Sequence, residues 1–388
     1  VSLPERLRDA ELPGEDEARE RARRVVHAAF AEREPAPAGR PALRFRRLPA
    51  LVAGCVALVL LAFSPPGQAL SDWVRQRFDP PAKPRPKPRP TLDALPAPGS
   101  LLVDSPAGSW VVRRDGSKRL LGPYSDPSWS PGGLFVVAAR PGGLVAVEPG
   151  GRVRWTLART RVSQPRWAPS GFRIAYRSGR EVRVVAGDGT GDRLLRAGTL
   201  AEWRPGGHVN VVAVADRRGA VRVVDVDTRR TLWRTSSKVA RPLQLAWSAD
   251  GRRLAVLSRR SLSVFAAGGA RVMRRALPAA TGAPAMAYSP QGRALALVRD
   301  RDGAGELALV DRGRSRLVFA GRGQLAGVTW SHDGGWLLTT RPGADQWAFV
   351  RARGGSRVET VSGVGREFDP RASGAAGQPL PRDWCCSR

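Results

Sequence analysis

Short stretches rich in Val, Leu and Ala, broken by Gly, Asp and Pro, recur through residues 100–375. A brief apolar run bounded by turn residues is the mark of a buried strand. Six times an aromatic residue, a polar turn ending in glycine and an apolar-rich strand follow one another. The copies are Trp129-SPGG-LFVVAA, Trp167-APSG-FRIAYR, Trp203-RPGG-HVNVVAVA, Trp247-SADG-RRLAVLS, Tyr288-SPQG-RALALVR and Trp330-SHDG-GWLLTTR. Their aromatics stand 38, 36, 44, 41 and 42 residues apart, and most intervals hold two more strand-like pieces.

Four short strands per unit of about 40 residues predict a mainly β fold, a β-propeller of four-stranded blades. One such sheet cannot hide both its faces, whereas radial stacking buries them between neighbours. Each aromatic is expected to close an inner strand and pack between blades. The turn glycines (Gly133, Gly171, Gly207, Gly251, Gly292 and Gly334) are expected to supply a positive φ. Both sets are read as structural. A unit without the signature comes first, in three pieces at 101–105, 109–114 and 118–122. Phe368, followed by Asp-Pro and 38 residues beyond Trp330, is expected to supply the aromatic of its missing strand. Seven blades are expected, with six as the alternative, over residues 100–375, and 376–388 are expected to be a flexible tail.

One longer apolar run, LPALVAGCVALVLLAF at 48–63, carries no charge. Its 16 residues would span about 24 Å as a helix, short of a hydrocarbon core of about 30 Å. Extension to Leu70 gives 23 uncharged residues, with Pro65 and Pro66 near the outer end. We read 48–70 as a single transmembrane helix; a buried soluble helix is the competing reading, and a cleaved leader does not suit 47 preceding residues. Residues 51–55, LVAGC, resemble a bacterial lipoprotein signal, but eight apolar residues continue past Cys55, so we read it as a small residue of the helix.

Flanking charge sets the expected orientation. Arg33, Arg40, Arg44, Arg46 and Arg47 crowd the N-terminal edge, placing 1–47 in the cytoplasm and the propeller outside it. In the arm, 15–34 read as an amphipathic helix whose Val25, Val26 and Phe30 would face a cytosolic partner or the inner leaflet. Residues 71–99, with the alternating KPRPKPRP, read as a stiff polyproline stalk.

Composition then narrows the chemistry. The 388 residues hold 64 Lys and Arg against 34 Asp and Glu, a formal charge of +30. Of these, 47 basic and 23 acidic residues fall in 92–388, a surplus that would steer acidic partners or simply keep the disc soluble. Three His and three Cys, mostly dispersed, leave little for a metal site or a disulfide framework. No G-x-S-x-G motif occurs, and His208 and His332 stand at turns without a partner base or acid. The acids pair at separate turns rather than clustering at calcium-ligand spacing. We therefore expect no enzyme and no cofactor. Nucleic acid fits poorly, since no aromatic-basic groove motif accompanies the charge. Cys385 and Cys386 are adjacent, a spacing that seldom bonds internally, and are read as part of the tail.

The Trp-Ser-Pro-x-Gly strand pattern resembles the WD40-like and TolB-type propeller repeats of bacterial proteins. Arm, helix, stalk and propeller together are similar to membrane-anchored proteins of high-GC actinobacteria. The blades lack the Gly-His and Trp-Asp pairs of eukaryotic WD40 repeats, which favours the TolB-like relation. The resemblance implies an interaction platform: a scaffold or sensor binding a protein or an anionic envelope polymer. The alternative is a transmembrane regulator whose arm grips a cytosolic partner, anti-sigma-like, although the arm lacks a His-x-x-x-Cys-x-x-Cys zinc signature.

Overall fold

The computed structural model describes residues 92–388 apart from 208–209, 236–238, 240, 279–281, 293, 355–356, 370–377 and 387–388. The arm with Val25, Val26 and Phe30, the run 48–70 with Cys55, and most of the stalk lie outside the described residues. No helix among the described residues is long and apolar enough to cross a membrane.

Seven four-stranded antiparallel sheets make up the described propeller, six of them meanders from an inner to an outer strand. Burial follows position in the blade. The second strand of blade 4, Val211–Ala215, is buried at every residue, because both of its faces meet a neighbouring blade. The outermost strands alternate instead: from Arg154 to Ala158 and from Val272 to Ala276 every second residue is exposed. Continuous and alternating apolar patterns therefore mark inner and outer strands respectively.

The core is divided in the same way. Seven hydrophobic clusters each draw on two successive blades, so every blade interface has its own core. Between blades 4 and 5, for example, Val211, Ala213, Val221 and Val223 meet Leu245, Trp247, Leu254 and Phe265.

The ring closes with a strand that the sequence pattern misplaces. Blade 1 is completed by Leu380–Cys385, which pairs antiparallel with Ser100–Ser105 in the register Leu101 to Trp384 and Leu102 to Asp383. Trp384, only 3% exposed, holds the position expected of Phe368. Phe368 instead ends a short helix, α1 (Val364–Phe368), with its ring 5.7 Å from Trp110 and 5.2 Å from Trp347. It is a wedge between blades 7 and 1. The reason is topological. The aromatic elsewhere is followed by a turn into its own blade, but here the partner strand comes from the other end of the propeller, so no turn signature accompanies it.

Both boundaries shift accordingly. Residues 380–385 are strand rather than flexible tail, and Leu92, Leu95 and Ala97 belong to the core rather than to the stalk. The adjacent cysteines are bonded to each other, against the sequence expectation.

Candidate functional site

The signature residues hold turns and interfaces. After four of the aromatics a serine hydroxyl accepts the amide five residues on, as Ser130 does from Phe135 at 2.9 Å, Ser248 from Arg253 at 3.0 Å and Ser331 from Trp336 at 2.8 Å. Trp203 donates its indole N–H to the Arg166 carbonyl, and Trp330 to that of Ala287, both at 3.0 Å. Each acceptor immediately precedes the aromatic of the blade before. Trp129, Trp247 and Trp330 are 6% exposed, while Trp167 and Tyr288 are half-buried. His332 is exposed in the blade 7 turn; His208 lies outside the described residues.

A different register carries the charge. The residue before the aromatic is Asp383, Ser128, Arg166, Glu202, Ala246, Ala287 and Thr329 around blades 1 to 7. Asp383, Arg166 and Glu202 come from blades 1, 3 and 4, yet Arg166 and Asp383 both act on the Glu202 carboxyl and Arg166 acts on that of Asp383, so the ring brings the three near one another. All three are partly buried. Burial pushes the Glu202 carboxyl up to about 7, with Arg166 opposing the rise and Asp383 adding to it. Burial also raises Asp383, again opposed by Arg166, and its carboxylate accepts the Trp129 amide at 3.4 Å. Sequence reasoning missed this trio. The signal was the residue before each aromatic, small or neutral on four blades and charged on three.

The two faces of the disc differ. Connections between first and second strands, and between third and fourth, emerge on the signature face. The remaining loops emerge on the opposite one. The chain comes in along the signature face: the Leu95 amide bonds the Arg114 carbonyl in the third connection of blade 1. That face also holds a groove of about 740 Å³ between blades 2 and 3, walled by Leu134, Phe135, Trp155, Trp167 and Phe172.

On the opposite face, Arg161, Arg180, Arg217, Arg218, Arg241, Arg259 and Arg260 stand exposed on five loops of blades 2 to 5. None of these guanidiniums forms an ion pair among the described residues. The nearby acids are engaged elsewhere. Asp216 binds Arg222 at 2.9 Å and the amides of Arg218 and Ala220, and Glu181 pairs with Arg183 at 3.2 Å. A shallow pocket of about 490 Å³ opens among Arg159, Arg161, Ser178 and Arg180. Among the described residues no group of three or more His, Cys, Asp or Glu is placed to hold a metal ion.

No protein-family model and no curated protein sequence matches the chain. Solved structures do. A chain of a mitotic checkpoint complex is 18% identical with a TM-score of 0.49, over 58% of this chain and 75% of that one. Hydrazine synthase of Kuenenia stuttgartiensis is 13% identical at 0.49, over 70% and 80%. The WD40 domain of Toxoplasma gondii coronin is 16% identical at 0.48, over 61% and 69%. The assignment of seven blades rests on the sheet order of this chain itself.

Proposed function

We propose that this protein is a membrane-anchored, extracytoplasmic scaffold that acts by binding rather than catalysis. Its ligand is an anionic partner, an acidic envelope polymer or acidic protein surface, held on the arginine-bearing face of blades 2 to 5. The observation that carries this is the set of seven exposed arginines without ion pairs among the described residues, spread over five loops of one face. Cations carried on a rigid disc present a single field to an extended anion, and that field speeds its approach. The first described residues meet the propeller on the other face, at the Leu95 amide and the Arg114 carbonyl. The anchor rests on the uncharged run 48–70, and the outward orientation on the arginines that crowd its N-terminal edge.

The test is binding of the full-length chain in detergent to polyglutamate and to polyphosphate, followed against salt. Arg217→Glu with Arg218→Glu, Arg259→Glu and Arg260→Glu should weaken binding at least tenfold and flatten its salt dependence. Arg229→Glu with Arg230→Glu, on the signature face, should change it little. Equal losses from both sets would reduce the effect to net charge and remove the assignment of a face.

A further inference from the structure

The closing strand departs from every other blade at one point. Where other blades carry Trp-Ser, Trp-Ala, Trp-Arg or Tyr-Ser at the end of the inner strand, blade 1 carries Trp384-Cys385-Cys386. The two sulfurs are joined to each other. The only other cysteine of the chain is Cys55, far upstream in the apolar run.

The two halves of this disulfide have different surroundings. Cys385 packs against the core shared by blades 1 and 2, beside Leu102, Val111 and Trp129. Cys386 has left the strand, with a left-handed φ of 57°, and lines a cavity of about 480 Å³ between the same blades. Its Sγ lies 3.1 Å from where a side chain on Gly133 would begin, so that glycine leaves room for the sulfur. Arg113 and Arg114, both exposed, line the same cavity. Cations beside a sulfur favour its thiolate and attract an incoming one, and access to the sulfur governs exchange.

We propose that Cys385–Cys386 is a thiol–disulfide exchange site opening on this cavity, with a dithiol as its reductant. A thiolate of the reductant attacks Cys386 Sγ, the sulfur on the cavity side. The Cys385–Cys386 bond breaks and its electron pair leaves on Cys385 Sγ, which takes a proton. The second thiolate of the reductant then attacks its own sulfur in the mixed disulfide and releases Cys386 as a thiolate. Two electrons pass from the dithiol to the protein, Cys385 ends as a thiol and Cys386 as a thiolate that takes its proton from solvent, and the reductant is left as a disulfide. The mouth of the cavity thereby changes from a closed sulfur ring to two separate thiols, directly beside the strand that closes the propeller.

The full-length protein, purified in detergent without reductant, is equilibrated with graded ratios of reduced to oxidised dithiothreitol under native conditions. It is then quenched with iodoacetamide and digested with trypsin, which releases residues 383–388 as one peptide. We expect the untreated peptide to be unalkylated and lighter than the dithiol form by two hydrogens. We expect it to pass reversibly to the doubly alkylated form while tryptophan fluorescence keeps its folded spectrum. Arg113→Ser with Arg114→Ser should slow reduction severalfold and leave that spectrum unchanged. Free thiols in the untreated protein, linkage of the peptide to a second chain, or reduction only when the propeller unfolds would each overturn the proposal.

Discussion

The Arg382 guanidinium donates to the Asp104 carboxylate at 2.7 Å, tying the last strand of the propeller to the first. The same guanidinium reaches Asp126 of blade 2 at 3.2 Å, and the Asp126 amide donates to Asp104 at 3.1 Å. Three strands from blades 1 and 2 meet in this one charged group.

Closure nevertheless depends more on packing than on charge. Arg382 is partly exposed, so Arg382→Ala should cost only about 1 kcal/mol. Trp384→Ala empties a buried site in the core between blades 7 and 1 and should cost about 3–5 kcal/mol. Urea denaturation of the two variants checks the order; equal losses would mean that the ion pair carries the closure.

Two tryptophans at equivalent positions should respond differently to the same change. Trp203 donates to the Arg166 carbonyl at 3.0 Å, whereas the Trp247 indole N–H is paired with no described residue. Phenylalanine at 203 should therefore destabilise by about 1 kcal/mol more than phenylalanine at 247. Thermal unfolding of the pair measures the difference.

Glu202 and Asp383 make stability fall with rising pH. Glu202 is pushed up to about 7 in the folded protein, above its ordinary value of 4.5. Between those values the folded state holds the proton that the unfolded chain has lost, so raising the pH costs stability. Below that window the effect disappears, and above it the loss is complete. Glu202→Gln should remove this part of the slope and stabilise the protein at neutral pH, as read by denaturation midpoints from pH 4 to 8.

Turn glycines should differ in sensitivity by what surrounds them. Gly171 has φ +79° and open space where a Cβ would stand, so Gly171→Ala should cost only about 1–2 kcal/mol for its left-handed backbone. At Gly251, φ is +66° and an added Cβ would lie 2.4 Å from the Pro205 carbonyl oxygen. Gly251→Ala should cost clearly more, again by denaturation.

Much of the propeller is written locally. A serine that caps its own turn, a glycine that reverses it and a strand buried at all but its last position are each specified within about ten residues, as at Trp330 to Arg341. Such features recur because every blade solves the same packing problem, and recurrence made them legible. Phe368 was misplaced because an aromatic before Asp-Pro looks the same whether it ends a strand or wedges between blades. The seven arginines were visible only as a surplus, since which loops share a face depends on how the strands alternate direction.

The sequence by itself determined the repeating blade: its four strands, its turn and its aromatic, all set by turn chemistry and alternation at short range. Only the tertiary structure decided what joins distant parts of the chain. That includes the pairing of Leu380–Cys385 with Ser100–Ser105, the meeting of Arg166, Glu202 and Asp383, and the placing of Cys386 beside Arg113 and Arg114. Those relations arise when the ring closes, because closure brings together residues nearly 300 positions apart that no local pattern links.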